Sequence, residues 1–155
     1  MHIFGGQSQI VIVQWIKIRK GKIVALLVDH RLRTESVGEC KITQNFLDQL
    51  NISSKVIRIN ENKNNKKNMN EARENRYHKL INYCKRKNIL HLFLGHHYND
   101  NLETYLIRKV AGSNFEGLGC MTFFGIRNNI QLIRPLLNYS KNQIINFNKM
   151  NNISF

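Results

Sequence analysis

The stretch Gly95-His96-His97-Tyr98-Asn99-Asp100-Asn101-Leu102-Glu103-Thr104 gathers two histidines and two carboxylates around a single strand-to-helix turn. Imidazoles exchange protons or hydrogen bonds near neutral pH, and carboxylates hold a metal ion or an amine. The two histidines are adjacent and therefore point in different directions. No third ligand stands at a zinc-type spacing, so the pair by itself does not read as a metal centre. A structural reading competes: Asp100 and Glu103, three apart, form a capping box that opens a helix burying Leu102, Leu106 and Val110. On that reading the histidines are satisfied structural groups.

The elements that must position this turn follow from hydrophobic patterning. Ile89 to Leu94 is a short apolar run bounded by Gly95, the signature of a strand buried on both faces of a parallel sheet. His96 and His97 then emerge at its carboxyl end, where open parallel sheets bind ligands. Lys22 to Asp29 is a second such strand, ending in Asp29-His30-Arg31-Leu32-Arg33. Lys55 to Ile59 is a third, near a sheet edge because Lys55 and Arg58 point outward, and Gln131 to Arg134 is the last, closed by Pro135. Between them lie helices over Gln9 to Ile18, over Glu35 to Leu50 with the stripe Ile42, Phe46, Leu47 and Leu50, and over Met69 to Lys87 with Leu80, Ile81 and Cys84 inward. A final helix, Tyr139 to Asn151, turns Ile144, Ile145 and Phe147 to the core. Alternation of this kind specifies an α/β fold, an open parallel sheet with helices on both faces in a three-layer sandwich.

Two further features have chemistry in them. Gly5-Gly6 ahead of an apolar helix has the form of a phosphate-holding loop, or of an amino terminus leading into a core helix. Arg73 and Arg76 share one helix face with Tyr77. They either meet an anion or form a solvated face with ion pairs to Glu71 or Glu74.

Composition narrows the partner class. A chain of 155 residues makes one domain, and its net charge of +14 attracts polyanions such as nucleic acid. The abundance of Lys, Asn and Ile also follows from AT-rich coding, which raises positive charge without reference to a ligand. Cys40, Cys84 and Cys120 are odd in number with no C-x-x-C pair, which disfavours a disulfide framework or a zinc site and fits a reducing compartment. The start has no basic segment of a signal peptide, and Gln14 and Lys17 break the apolar run Ile10 to Ile18, so no membrane association is expected. Asn60 to Asn70 is a polar Lys/Asn loop.

In order along the chain, Val28-Asp29-His30-Arg31-Leu32-Arg33 with Glu35-Ser36, Glu71-Ala72-Arg73-Glu74-Asn75-Arg76-Tyr77 and Gly95-His96-His97-Tyr98-Asn99-Asp100-Asn101-Leu102-Glu103-Thr104 are followed by Arg108, Gly112-Ser113, Gly117-Leu118 and Arg134-Pro135-Leu136-Leu137. This series resembles the tRNA(Ile)-lysidine synthetases, a family of PP-loop ATP pyrophosphatases, across essentially the whole chain. The family's Gly-rich loop reads Ser-Gly-Gly-x-Asp-Ser. Phe4-Gly5-Gly6-Gln7-Ser8-Gln9 keeps the glycines and lacks the aspartate, and Asn99 stands at the first aspartate of the family's His-His-x-Asp-Asp.

The resemblance implies a cytoplasmic ligase, bacterial or endosymbiont, or else one of an organelle stroma or matrix. It would use ATP and Mg2+ to adenylate the wobble cytidine of tRNA(Ile) and attach L-lysine, forming lysidine. It implies nucleotide binding at Gly5, Gly6, Gln7, Ser8, Asp29 and His30. Catalytic positions would be Arg73 or Arg76, His96 and Arg108 around the developing charge, with Asp100 and Glu103 placing the lysine ammonium or magnesium, Asp100 being the metal position. It further implies a single PP-loop ATPase-type domain over 1–155, incomplete at both ends and without the family's carboxyl-terminal tRNA-binding domains, which a second polypeptide or a homodimer would make good. The alternative is a non-catalytic relative, a basic module that meets tRNA without turning over ATP.

Overall fold

The computed structural model describes residues 2–3, 23–29, 36–58, 69–114 and 118–151. The Gly-rich positions Gly5, Gly6, Gln7 and Ser8, the helix expected over Gln9 to Ile18, His30 and most of the Lys/Asn loop lie outside the described residues. Among those described, the elements run β1 (His2–Ile3), β2 (Val24–Asp29), α1 (Ser36–Gln49), β3 (Ser53–Arg58), α2 (Met69–Arg86), β4 (His91–Phe93), α3 (Tyr98–Val110), β5 (Phe124–Arg127), β6 (Ile130–Ile133) and α4 (Lys141–Met150).

Strand β2 is the spine. It pairs in parallel with β1 on one side and β3 on the other, with Leu26 opposite His2 and Lys55. Its alternate residues feed two cores, as expected of a strand covered on both faces. Leu26 and Val28 join Tyr77, Leu80, Ile81 and Cys84 of α2 together with Leu92, Leu94, Ile130 and Leu132. Ala25 and Leu27 join Leu47 of α1, Ile52, Leu136 and Ile144 of α4. The second sheet, β4-β6-β5, is sandwiched by the same cores, since Leu92 faces one and Phe93 the other. The result is the expected three layers: α2 on one face, α1 and α4 on the opposite face. Cys84 is completely buried, and burial pushes its thiol pKa up, which keeps it protonated and inert.

Three helices end the same way. After α1, α2 and α3, Asn51, Asn88 and Gly112 take positive φ of 54°, 52° and 71°. At each site the paired bonds of a Schellman motif close the last turn, for instance Ile52 N–H to Leu47 O at 2.9 Å with Asn51 N–H to Asp48 O at 2.9 Å. Asparagine here does the work usually given to glycine, because its short polar side chain tolerates the left-handed conformation.

The structure corrects several expectations. β5 was not expected. It pairs antiparallel to β6 through Asn128-Asn129, whose φ values of 50° and 65° suit the two-residue turn that matches strand twist. Helix α3 has no buried residue at all: Leu102, Leu106 and Val110, expected inside, are 41%, 50% and 89% exposed. What holds α3 is polar: Tyr98 N–H to Tyr139 O at 2.9 Å, Lys141 N–H to Asn99 Oδ1 at 2.9 Å, and a double bond pattern between Asn101 and the Met121 backbone. Ile42 of α1 and Phe147 of α4 also face solvent, and in α4 Asn148 takes the buried position one turn after Ile144. An i, i+4 apolar pattern marks which residues share a face and not what covers it.

Candidate functional site

Parallel pairing of β4 with β6, Phe93 opposite Ile133, brings the carboxyl ends of both strands to one rim. Leu94 N–H continues the ladder to Ile133 O at 2.8 Å, so the chain leaves β4 in line and delivers Gly95, His96 and His97 beside Arg134. Asp29 ends β2 and is buried. The amino-terminal half of α2 contributes Arg73 and Arg76.

His97 is the N-cap of α3. Its extended backbone (φ −124°, ψ 179°) lets Nδ1 accept from Asp100 N–H at 3.4 Å, while Asp100 Oδ2 accepts from His97 N–H at 2.9 Å. The capping box is therefore His97 with Asp100, not Asp100 with Glu103. Nδ1 also lies 3.3 Å from Asp100 Oδ2. Asp100 holds the start of the helix and retains a half-exposed carboxylate beside His96. Glu103, one turn further, is exposed and makes no polar contact among the described residues.

His96 is different in kind. Its Nδ1 is buried and has no hydrogen-bond partner among the described residues. Burial, then the Arg134 charge, hold its pKa down to about 4; Asp100 opposes this, and Arg73 and Arg76 add to it. The ring is thus neutral at pH 7 and sits within the field of three guanidinium groups. Arg134 is itself buried: Nη1 donates to Thr122 O at 2.9 Å, and Nε has no partner among the described residues. Two unmade hydrogen bonds at one rim, one on a neutral ring and one on a cation, are where a ligand would complete the structure.

A second group of cations stands alongside. Arg73 and Arg76 each lie 5.9 Å from the centre of the Tyr77 ring and Arg127 of β5 lies 4.9 Å from it. Glu74 pairs with Arg127, fastening the β5–β6 hairpin to α2. Burial lowers the Arg76 guanidinium from its ordinary value; the Tyr77 interaction offsets this and the Arg73 charge adds to it. Such a concentration of like charge suits an anionic ligand with several negative oxygens.

Of the residues singled out from sequence, the structure brings together Arg73, Arg76, His96 and Asp100, whose charges all act on His96. Arg108 Nη1 donates to Gly119 O, tying α3 to the following loop. Gly5, Gly6, Gln7, Ser8 and His30 lie outside the described residues. Sequence reasoning left out Arg134 and Arg127. Arg134 carried a signal, a charged residue directly after a buried strand and before Pro135. No group of three or more His, Cys, Asp or Glu side chains among the described residues forms a metal cluster.

The buried neutral His96 has a consequence for stability. In the unfolded chain the ring binds a proton near pH 6.5, in the folded chain only near 4. Between those values the unfolded state binds more protons, so this stability is present above 6.5 and is lost as pH falls toward 4. Between pH 7 and pH 5 the loss is on the order of 2 kcal/mol. Urea unfolding at both pH values should show it in the wild type and lose it in His96→Asn; equal pH dependence in the two would disprove the buried neutral ring.

Comparison with known proteins identifies the family and the fold. The family model of the PP-loop domain matches residues 3–155. Relatives include tRNA(Ile)-lysidine synthases of Wolbachia pipientis, 33% identical over 99% of this chain and 37% of the relative, and of Orientia tsutsugamushi, 32% identical over 94% and 33%. The chain spans about a third of the length of these curated relatives. Among solved structures, a U34-tRNA thiolase of Methanococcus maripaludis with its [4Fe-4S] cluster superposes with a TM-score of 0.79 over 100% of this chain and 56% of that one, at 14% identity, a likeness of fold.

Proposed function

The chain belongs to the PP-loop domain family, and from that premise we propose that it is the ATP-using domain of a tRNA-modifying ligase that forms lysidine at the wobble cytidine of tRNA(Ile). The observation that carries this reading is the rim where the charges of Arg73, Arg76 and Arg134 act on His96, whose buried ring nitrogen has no partner among the described residues. The names of the relatives supply the RNA and the product.

In this reaction the C2 oxygen of cytosine attacks the α-phosphorus of ATP and pyrophosphate leaves; the lysine ε-amine then bonds to C2 and AMP departs. Both steps gather negative charge on phosphate oxygens. Arg73, Arg76 and Arg134 would stabilise it, carried on the backbone of α2 and the end of β6. His96, with a pKa of about 4, is too weak a base to deprotonate an ammonium group. Its role is a hydrogen bond from a buried neutral ring to the base or the α-phosphate. On this reading Asp29, at the end of β2, would bind the nucleotide together with Gly5, Gly6, Gln7, Ser8 and His30, which lie outside the described residues. Mg2+ requires few protein ligands when phosphates supply the rest, so Asp100 with phosphate oxygens would hold it and neutralise the leaving group. Glu103 or Asp100 would orient the lysine ammonium. A bacterial or organellar interior is the proposed setting; among the described residues no helix is long and apolar enough to cross a membrane.

A second reading, a tRNA-binding module without turnover, is favoured by one observation: the Asp100 carboxylate is committed to the helix cap. The test is to incubate the chain with ATP, Mg2+, lysine and a tRNA(Ile) transcript, then digest the RNA for mass spectrometry. Lysine-dependent lysidine with equimolar AMP is the expected result. Binding of ATP and tRNA without product would establish the binding module, and binding of neither would overturn both readings.

A further inference from the structure

Helix α2 turns Tyr77, Leu80, Ile81 and Cys84 to the core, and its opposite surface is basic. Lys79, Lys85 and Arg86 are exposed there, with His78 beside them and the Asn82 amide 3.2 Å from the His78 ring. Together with Ile57 of β3 these residues line an open groove of about 460 Å3. On the other side of the same edge strand, Gln44, Ser54, Lys55, Val56 and Arg58 line a second groove of about 520 Å3.

The distribution of charge matters more than its amount. AT-rich coding scatters lysine, but it does not expel carboxylates from one surface. From Asn75 to Asn99 the chain has Arg76, Lys79, Lys85, Arg86 and Lys87 and no Asp or Glu. No described carboxylate pairs with Lys55, Arg58, Lys79, Lys85 or Arg86. Cations at the end of α2 also complement the helix dipole, a small effect that Lys79, mid-helix, does not share.

Geometry connects this surface to the site. Arg76 acts on His96, and Lys79 follows it by less than one turn. Lys79 to Arg86 then extends ~10 Å along the helix axis, away from the strand ends. A polyanion held at the rim can continue along α2 without a break in positive potential. A regular series of phosphates fits; a single small anion would occupy only one end. We propose that the groove between β3 and α2 is a track for an RNA phosphate backbone leading away from the site, with Lys79, Lys85 and Arg86 as its phosphate contacts. This rests on the reading above that the substrate is a tRNA.

The test is fluorescence-anisotropy titration of a labelled tRNA(Ile) transcript with the full chain over a series of KCl concentrations. It uses the wild type, the triple variant Lys79→Ala/Lys85→Ala/Arg86→Ala, and the equal-charge control Lys109→Ala/Lys141→Ala/Lys149→Ala. Each lost phosphate contact removes about 0.7 to 0.9 from the slope of log K against log salt, so the triple variant should be shallower by about 2 to 3 and the control unchanged. Calorimetric binding of Mg-ATP should be the same in all three, which reports an intact fold. Wild-type slopes in the triple variant, or an equal drop in the control, would overturn the track and leave the tRNA reading standing. A wild type that fails to bind tRNA at low salt would instead overturn the tRNA reading, and the track with it.

Discussion

Replacing His96 by alanine is expected to lower lysidine formation at least ~100-fold, the scale on which removal of one buried hydrogen-bonding group from a preorganised site acts, while leaving the chain folded. The ring is half-buried at the surface end of β4, so truncation there does not open the cores built on Leu26 and Leu27. What is lost is the unfilled Nδ1 among the cations. The pH profile distinguishes this role from general-base catalysis. Because the ring titrates near 4, the wild-type rate should show no inflection from this group between pH 6 and pH 8, and His96→Ala should lower the whole profile evenly. A rate within threefold of wild type would remove His96 from the site.

Arg134→Met is the second large effect, and it should separate function from stability. A buried guanidinium that donates to Thr122 and whose Nε has no partner among the described residues is a costly group to keep. Methionine retains most of the side-chain volume and removes the desolvated charge, so the net change in unfolding free energy should be within about 1 kcal/mol. Binding of Mg-ATP should nevertheless weaken by a factor of ten or more, since a charge-assisted hydrogen bond to phosphate is lost. His96 supplies an internal check. With the Arg134 charge gone its ring should titrate higher, measurable by NMR on the imidazole C–H signals. Unchanged nucleotide binding together with an unchanged His96 titration would show that Arg134 is structural only.

The comparison of sequence with structure is clearest at β2 and α2. Ala25-Leu26-Leu27-Val28 could be read as a strand covered on both faces because an uninterrupted apolar run leaves no side for solvent, and both cores do meet there. Leu80, Ile81 and Cys84 were legible as an inward stripe for the corresponding helical reason. β5 was missed because its signal is the turn Asn128-Asn129, and in a chain rich in asparagine such a pair does not stand out. Yet Asn51, Asn88, Asn128 and Asn129 are the non-glycine residues with positive φ among those described. The chain is rich in asparagine, and the fold places it where a left-handed residue is required.

At the site the division is sharper. Sequence alone determined the alternation of strands and helices, the parallel core, and hence that His96 and His97 emerge at a strand's carboxyl end, because these follow from local periodicity and turn chemistry. Sequence could not say that His97 caps Asp100 while His96 stays unpartnered, that α3 leaves its apolar stripe in solvent, or that Arg108 fastens a loop. Nor could it say that Arg73, Arg76 and Arg134 all act on one ring. Electrostatic interaction depends on separation in space, and only the packing of α2 and β6 against β4 turns positions far apart in the chain into one field.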